Sequence, residues 1–526
     1  MKSSTAAAPS LLRVWPPRAL PRRGTRALAA ALLLVVLPAA ARAGGPLNLA
    51  SPRPSVTAAR AAAAQQGRLA ARIDSILGRA ELRRAHVGVE VADPATGRVL
   101  YARDAEKLLV PASNLKLVVT STAAHLLGPA YRWRTTVYGT GPVEGGVLRG
   151  DLVLFGRGDP TLSGRYGATR TSALEALADS LRARGIRRVA GAVVGDESWF
   201  DGEHVRGEWQ GYDLLWWYAA PVGALAFNDN SVDLRIEPGA AAGEPARISW
   251  EPRTAYVRFE NRTRTVAAGR PQTLDLERGA GPGAIRAYGE TPLNAGPRTE
   301  SFAVDDAARY AATVFREVLV ARGIAVDAPE VRVVSDPARS AAATAAPLAE
   351  RLSPPLPQVI APILLKSQNW IAEQLLKTLA RERRGEGSWD AGLALERDFL
   401  TRVVGVDSTA FKLRDASGLS AENLVTPHAF VQILSYVRRS PEQEMVRAGL
   451  PVAGRAGSLQ SRLLDLTGRV SAKTGSIGNV DSLSGFATTA DGRQVVFSII
   501  VNGSGLSSAR VRAAIDDVVR AIAAEA

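Results

Sequence analysis

The sequence predicts a mixed α/β (α+β) fold, in which an antiparallel sheet flanked by helices is interrupted by a large β-rich insertion. Two observations carry this prediction: both ends of the chain combine strand patterns with a helix, whereas the middle consists mainly of short β-like runs broken by Gly, Pro and Arg. Because the two ends complement each other, we expect residues 46–130 and 350–526 to form one split domain. Residues 131–349 would then be the insertion, of one or two domains, with a smaller nested domain near 235–300.

Periodicity and turn signals predict each element in chain order. The predicted elements are a helix at 69–77, a hairpin at 87–92 and 98–102, a helix from about 110 to 127, strands at 133–139, 147–155, 189–194, 231–236 and 255–259, helices at 172–184, 305–322, 356–381, 388–404 and 427–438, strands at 469–473, 482–489 and 494–501, and a last helix at 507–523. No internal repeat of fixed period is found.

The composition excludes several classes of chemistry. The chain has 526 residues, a formal net charge of +14, four His and no Cys. Without cysteine there is no disulfide scaffold, thiol nucleophile or Cys-bound zinc, and we expect neither a metal nor a cofactor. The positive charge raises nucleic-acid binding as an alternative, but no basic run is interleaved with aromatic residues. Only seven of the 65 basic residues are Lys, so the position of each Lys is informative.

Residues 1–43 have the pattern of a secretory signal peptide. A basic stretch without acids is followed by an apolar run at 27–41 and by Ala41-Arg42-Ala43. The apolar run is shorter than the ~20 residues needed to span a bilayer, although an uncleaved anchor is the alternative. Seven of the basic residues lie here, so half of the net charge belongs to this segment. We therefore expect a protein of the periplasm or cell envelope with at most peripheral membrane contact.

The motif Ser113-Asn114-Leu115-Lys116 is a candidate nucleophile with its base. On a helix, positions i and i+3 share a face, so the hydroxyl of Ser113 and the amine of Lys116 can come within hydrogen-bond distance. A serine hydroxyl needs such a base, and a desolvated Lys can supply it. Taken alone, the motif is equally consistent with a helix start that carries a surface Lys.

Two further motifs contain polar groups suited to a shared site. Ser367 and Asn369, in Ser-Gln-Asn, are two residues apart and cannot share a helix face, so both can serve one site only on a turn. In Lys473-Thr474-Gly475, a cation and a hydroxyl suit a carboxylate, and the glycine lets a ligand backbone lie close. Polar helix surface and an ordinary strand end are the alternative interpretations.

In this order, the three motifs resemble the signature of penicillin-binding proteins and serine β-lactamases. The gap of 254 residues between Ser113 and Ser367 resembles one family in particular, the penicillin-binding protein 4 type (class C low-molecular-mass, peptidase family S13) of D-alanyl-D-alanine carboxypeptidase/endopeptidases, in which extra domains lie between the first two motifs. Local matches are Gly158–Leu162, Gly195–Phe200, and Arg414–Ser420 with Asn423 and Thr426-Pro427. Ala416 stands where that family usually has Gly. The resemblance implies a serine β-lactamase/penicillin-binding-protein-like transpeptidase fold.

The resemblance also implies catalytic roles. Ser113 would attack the terminal D-Ala-D-Ala peptide and form an acyl-enzyme, Lys116 would be the base, and Ser367 would relay a proton to the leaving amine. Substrates would be peptidoglycan stem peptides and cross-links, with β-lactam antibiotics as inhibitors.

Substrate-binding roles follow in the same way. Asn369 would hold the substrate, Lys473 and Thr474 would bind the terminal carboxylate, and Gly475 would admit the peptide backbone. The backbone N–H groups of Ser113 and Ser476 would form the oxyanion hole, and Asp196 would meet the amino end of a diaminopimelyl side chain.

Two other functions remain open at this point. A serine β-lactamase or esterase on the same fold would use the same nucleophile, but gains nothing evident from a large insertion. A non-catalytic envelope sensor that binds β-lactams or peptidoglycan would not need all of the Ser and Lys residues that the motifs retain.

Overall fold

The computed structural model describes residues 56–526, which form both helices and strands. The helices are α1 (Val56–Leu77), α2 (Lys116–Leu127), α3 (Ser172–Ala183), α4 (Ala307–Ala321), α5 (Leu356–Leu365), α6 (Asn369–Arg384), α7 (Trp389–Asp398), α8 (Pro427–Arg439), α9 (Glu444–Ala448) and α10 (Ser508–Glu525). The strands are β1 (His86–Ala92), β2 (Val99–Arg103), β3 (Arg134–Gly139), β4 (Val143–Glu144), β5 (Val147–Leu148), β6 (Leu152–Phe155), β7 (Arg188–Val189), β8 (Val193–Asp196), β9 (Ser231–Glu237), β10 (Arg247–Glu251), β11 (Arg258–Val266), β12 (Asp275–Arg278), β13 (Ala284–Pro292), β14 (Arg298–Ala303), β15 (Ala325–Val326), β16 (Arg332–Val334), β17 (Pro347–Leu352), β18 (Phe411–Lys412), β19 (Leu424–Val425), β20 (Val470–Ile477), β21 (Val480–Thr488) and β22 (Gln494–Asn502). The signal peptide predicted at 1–43 lies outside the described residues.

An antiparallel five-stranded sheet joins the two ends of this part of the chain. Its strand order is β2-β1-β22-β21-β20, and β1 pairs with β22 from His86 opposite Asn502 to Ala92 opposite Val496. The hairpin of residues 86–103 and the three strands of residues 470–502 therefore belong to one sheet. The antiparallel sheet of the predicted fold class is confirmed, while the split domain at 46–130 and 350–526 stays a prediction.

Both faces of this sheet are covered by helices. Successive side chains of a strand point to opposite faces, and in β22 Phe497 and Ile499 belong to the same apolar core as α1 and α10. Val496 and Ile500 belong instead to the core on the opposite face, to which α8 contributes. The interior of the strand, residues 495–501, is buried throughout and apolar except for Ser498, as expected of a strand that is covered on both sides. None of the helices within residues 56–526 combines the length and the apolar character needed to cross a membrane.

The residues between the two ends form further sheets with a core of their own. Their strand orders are β16-β8-β6-β3-β17, β15-β7-β5-β4, β10-β9-β14 and β11-β13-β12. The chain enters and leaves this region at adjacent points, because the backbone N–H of Ser353 donates to the carbonyl of Trp133 at 2.9 Å. The mixed fold with a β-rich middle is confirmed, while the domain boundaries at 130, 235, 300 and 350 stay predictions.

Several predicted elements differ from the structure. The strands predicted at 147–155 and 189–194 are each two short strands, β5 with β6 and β7 with β8, and the two strands of each pair belong to different sheets. The helix predicted at 356–381 is two helices, because the backbone reverses at Ser367, which has a φ of +59°. Only the last two residues of the strand predicted at 255–259 lie in a strand. Residues 255–257 are a loop whose Tyr256 and Val257 enter the core, whereas β11 begins at Arg258 and continues to Val266 through mainly polar residues. Helix α1 begins at Val56, in a segment whose composition indicated a spacer.

Candidate active site

Ser113 and Lys116 lie at the junction of a short 3₁₀ turn, Ala112–Leu115, with the first residue of α2. The Nζ of Lys116 lies 2.8 Å from the Oγ of Ser113, as the i, i+3 spacing predicts. The same amine lies 2.7 Å from the Oδ1 of Asn369 and 2.7 Å from the carbonyl oxygen of Ser417. Three acceptors therefore fix the position of the Lys116 amine beside the hydroxyl.

Burial changes the acidity of this amine. The side chain of Lys116 is fully buried, and its desolvation lowers the pKa from 10.5 to about 7, although the carboxylates of Asp415 and Glu373 act in the opposite direction. Near neutral pH, a substantial fraction of Lys116 is therefore the neutral amine. A neutral amine 2.8 Å from a hydroxyl can accept its proton.

Ser367 and Asn369 lie on the turn between α5 and α6, as their spacing requires. Ser367 has the left-handed backbone noted above, and Asn369 is the first residue of α6. The Nζ of Lys473 donates to the Oγ of Ser367 at 2.9 Å, and the side-chain amide of Asn369 donates to the carbonyl of Tyr218 at 2.9 Å. The second motif is thus bonded to the first through Lys116 and to the third through Lys473.

Strand β20 brings the third motif against the nucleophile. Lys473 is fully buried, and its burial together with the charge of Lys116 lowers its pKa well below the ordinary value. A Cβ atom on Gly475 would lie 2.8 Å from the carbonyl oxygen of Pro111 and 3.0 Å from the backbone nitrogen of Ser113, so only glycine allows this approach. Thr474 is partly exposed, and its hydroxyl lies 2.6 Å from that of Ser458.

Ser476 is the exposed residue of this strand. It follows Gly475 in β20, and its hydroxyl lies 3.2 Å from that of Ser508. The structure brings seven of the nine residues singled out from the sequence into contact: Ser113, Lys116, Ser367, Asn369, Lys473, Thr474 and Gly475. Ser476 is their neighbour along the strand.

The ninth residue, Asp196, is not part of this cluster. It ends β8, in a sheet of the middle region, and its side chain is fully buried. The hydroxyl of Ser340 donates to Oδ2 at 2.6 Å, and the backbone N–H of Ser198 donates to Oδ1 at 3.0 Å. Because both carboxylate oxygens are bonded within the chain, this buried side chain does not have the exposure that the predicted contact with a substrate amine requires.

The sequence analysis assigned no role to two buried acids that lie next to the cluster, Glu373 and Asp415. Glu373 lies one helical turn after Asn369 on α6, and Asp415 begins the segment that supplies the Ser417 carbonyl. Both side chains are fully buried. The i, i+4 spacing from Asn369 was the available signal for Glu373, since it places both residues on one face of the helix.

The residues around Tyr218 were also missed. The hydroxyl of Tyr218 donates to the Oδ1 of Asp213 at 3.0 Å, and both side chains are partly exposed. A cleft of about 330 Å³, whose lining includes Trp217, Arg165 and Gln368, lies beside the turn of the second motif. In residues 56–526, no group of three or more His, Asp and Glu side chains is arranged to hold a metal ion.

The class that the fold and this cluster define is that of the penicillin-binding serine peptidases. Comparison with known proteins gives the family. The model of the D-Ala-D-Ala carboxypeptidase 3 (S13) family matches residues 69–525. The chain belongs to this family, which confirms the resemblance seen in the sequence.

Individual relatives are similar in sequence to this protein over most of its length. The D-alanyl-D-alanine carboxypeptidase of Actinomadura sp. (strain R39) is 35% identical over 501 residues, which are 93% of this chain and 89% of the relative. The D-alanyl-D-alanine carboxypeptidase DacB of Haemophilus influenzae is 26% identical over 425 residues, covering 80% and 85% of the two chains.

The fold agrees with a solved structure. The crystal structure of penicillin-binding protein 4 from Haemophilus influenzae superposes with a TM-score of 0.76 at 24% identity and covers 86% of this chain and 98% of that one. A second crystal structure of that protein, complexed with a novel β-lactam, gives a TM-score of 0.70 at 23% identity.

Proposed function

We propose that this protein is an exported serine DD-peptidase that cleaves D-Ala-D-Ala carboxypeptides, cross-links of peptidoglycan, or both, through an acyl-enzyme on Ser113. One observation carries the proposal: the buried amine of Lys116, with a pKa lowered to about 7, lies 2.8 Å from the Ser113 hydroxyl. Family membership supplies the reaction class, and this geometry supplies a nucleophile and its base.

Acylation begins when the neutral amine of Lys116 takes the proton of Ser113 and the Oγ attacks the carbonyl carbon of the scissile peptide. The backbone N–H groups of Ser113 and Ser476 stabilise the oxyanion, at roughly 3–4 kcal/mol per donor. When the C–N bond breaks, Ser367 passes its proton to the leaving amine and takes up in its place the proton that Lys116 removed from Ser113. The hydrogen bond from Lys473 to Ser367, 2.9 Å long, supports that relay.

Hydrolysis of the ester completes the reaction. A water molecule adds to the ester carbonyl, the bond to the Ser113 Oγ breaks, and the hydroxyl regains a proton. The products are the shortened peptide and either D-alanine, in the carboxypeptidase reaction, or the amine of a cross-linked peptide, in the endopeptidase reaction.

Substrate recognition uses the third motif and the start of α6. Lys473 and Thr474 bind the terminal carboxylate, Gly475 leaves room for the peptide backbone, and Asn369 holds the substrate. An ionic hydrogen bond of this kind contributes about 1.5–3 kcal/mol. β20 is an edge strand of the sheet, which supports binding of an extended peptide along it.

We propose Asp213 in the role that the sequence suggested for Asp196. Its carboxylate is partly exposed and is bonded to Tyr218, whose carbonyl accepts the Asn369 amide. A partly exposed carboxylate that is connected to the second motif in this way can pair with an amino group on the substrate side chain, whereas a fully buried carboxylate cannot.

Inhibition by β-lactams and a location in the periplasm or cell envelope belong to the same proposal. The β-lactam complex of the Haemophilus influenzae relative supports the first, and the pattern of residues 1–43 supports the second. Peptidoglycan is the polymer of that compartment that carries D-Ala-D-Ala ends.

Release of D-alanine tests this function. Purified protein is incubated with a peptide ending in D-Ala-D-Ala, and free D-alanine is measured for the wild type, for Ser113→Ala and for Ser180→Ala, a control hydroxyl on α3. We expect release by the wild type and by the control but none by Ser113→Ala. Hydrolysis of β-lactams or esters without D-alanine release would favour the lactamase or esterase, and binding without turnover would favour the sensor.

A further inference from the structure

Glu373 is a buried carboxylate that the proposed mechanism does not use. Its side chain is fully buried on α6. The backbone N–H of Ser417 donates to its Oε1 at 2.8 Å, that of Ala416 lies 3.1 and 3.2 Å from its two oxygens, and the indole N–H of Trp389 donates to Oε2 at 2.8 Å. Burial, together with the charge of Asp415, raises the pKa of Glu373 to about 7. Above that pH the carboxylate is ionised, and its hydrogen bonds to the 416–417 backbone are then strongest.

The backbone held by Glu373 contacts both reacting groups. The carbonyl of Ser417 accepts a hydrogen bond from the Nζ of Lys116 at 2.7 Å. The next residue, Gly418, has a φ of +80° and lies so close to the nucleophile turn that a Cβ on it would be 1.9 Å from the carbonyl oxygen of Ala112 and 3.2 Å from the backbone nitrogen of Ser113. One segment thus connects Glu373 to the base on one side and to the nucleophile on the other.

The charged groups around Glu373 differ in their bonding. Asp415 is buried and accepts four hydrogen bonds, from Trp209, Gly418, Ser420 and Asn423.

Glu396, on α7, is equally buried, yet neither of its oxygens has a hydrogen-bond partner among the described residues, and burial raises its pKa well above the ordinary value. Lys116 and Lys377 are the nearby amines, and the latter is paired with Asp201 at 2.6 Å. Glu373 therefore has the contacts of a positioning group, and Glu396 does not.

We propose that Glu373 is a positioning residue for the acylation reaction: its carboxylate fixes the Ala416–Ser417 backbone so that the Ser417 carbonyl holds the Lys116 amine against the Ser113 hydroxyl. The inference rests on the proposed function, because it assigns Glu373 a role only if Ser113 is acylated. It adds to that function a residue that touches neither the substrate nor the reacting atoms.

The test compares Glu373→Gln with Glu396→Gln, the same substitution at a second buried acid, whose carboxylate has no hydrogen-bond partner within residues 56–526. The acylation rate constant with benzylpenicillin is measured by stopped flow from pH 5 to pH 9, and folding is checked by circular dichroism and Tm. For Glu373→Gln we expect a loss of roughly tenfold to a hundredfold, because displacing a catalytic group by ~1 Å can cost about 10²-fold. The acidic limb of the pH–rate profile of this variant should also move to lower pH, because the carboxylate of Glu373 raises the pKa of Lys116 in the wild type. Glu396→Gln should change neither quantity.

Glu373→Asp distinguishes the effect of the carboxylate's position from the effect of its charge. It also replaces Glu373→Gln as the test variant if Glu373→Gln does not fold. It keeps the charge but withdraws the carboxylate by one methylene, so we expect slower acylation with the acidic limb near its wild-type position. Wild-type kinetics in folded Glu373→Gln or in Glu373→Asp, or equal effects in Glu373→Gln and Glu396→Gln, would overturn the role of Glu373. If the wild type itself formed no adduct at Ser113, the proposed function would fail instead.

Discussion

At the scale of single residues, the acidity of one buried amine decides whether Ser113 can be activated. Lys116 acts as a base only in its neutral form, and desolvation lowers its pKa from 10.5 to about 7. We expect the acylation rate constant to rise with pH through about 7 and to level off above it. Stopped-flow acylation by a β-lactam measures this profile in buffers of equal ionic strength. A midpoint near 10, the value of an exposed lysine, would contradict the assigned base.

Lys473 gives a second prediction at this scale. Replacing it with Ala removes the cation that binds the substrate carboxylate and that donates to Ser367 at 2.9 Å. We expect kcat/KM for D-Ala-D-Ala peptides to fall by about tenfold to a hundredfold, the equivalent of an ionic hydrogen bond of about 1.5–3 kcal/mol. Lys366→Ala, at an exposed lysine one residue before Ser367, is the matched control and should leave the rate unchanged. Unchanged acylation in Lys473→Ala would refute its role.

The sequence alone was enough to identify the site residues that lie close together in the chain and have distinctive chemistry. Ser113 with Lys116, the turn at Ser367, and Lys473 follow from local geometry and from the scarcity of lysine. Asp196 could not be resolved in this way, because an acid in a turn-like sequence has the same pattern whether it faces substrate or is bonded within the core. Glu373 was missed because its partners, Ala416 and Ser417, lie more than 40 residues away in the chain.

At the scale of elements, close backbone approach shapes the site. Gly418 and Gly405 both have positive φ, +80° and +88°, but a Cβ on Gly418 would overlap the carbonyl of Ala112, whereas one on Gly405 would meet nothing within 4 Å. Gly418→Ala should therefore lower stability by about 1–3 kcal/mol more than Gly405→Ala, the usual cost of overpacking. Denaturant unfolding measures this difference, and acylation should slow only in Gly418→Ala. Equal effects of the two substitutions would contradict the close approach.

Element boundaries were predicted best where the apolar period was strong. The strands at 482–489 and 494–501 and the last helix lie within two residues of the observed β21, β22 and α10. The break between α5 and α6 was predicted only from the chemistry of the second motif, since the apolar pattern runs on through it. Strand β11 could not be found beyond its first two residues, because its side chains are mainly polar and half exposed.

At the scale of the whole molecule, the middle region supports the helix that carries the second motif. The indole N–H of Trp370 donates to the carbonyl of Pro221 at 2.9 Å, and the side-chain amide of Gln374 donates to the carbonyl of Gly223 at 2.9 Å. These bonds join residues about 150 positions apart, so no local pattern could predict them. The sequence could predict only that the two chain ends form one unit around the middle region.

This support gives a prediction for stability. Trp370→Phe removes one of the two donors to the carbonyl of Pro221, which also accepts from the side-chain amide of Asn230 at 2.8 Å. The loss of one hydrogen bond should cost about 0.5–1.5 kcal/mol. Trp250→Phe is the matched control, because its indole N–H has no hydrogen-bond partner among the described residues. We expect a lower Tm for Trp370→Phe than for Trp250→Phe. The reverse order would argue against the contribution of the middle region to α6.

The central claim is that Ser113 is the acylated nucleophile, and the intact mass of the protein after incubation with benzylpenicillin tests it most directly. The wild type should gain the mass of one penicilloyl group in a long-lived adduct, peptide mapping should place that group on Ser113, and Ser113→Ala should gain nothing. Rapid consumption of the drug without an adduct would point to a β-lactamase. No reaction with the wild type, or an adduct that persists in Ser113→Ala, would contradict the account.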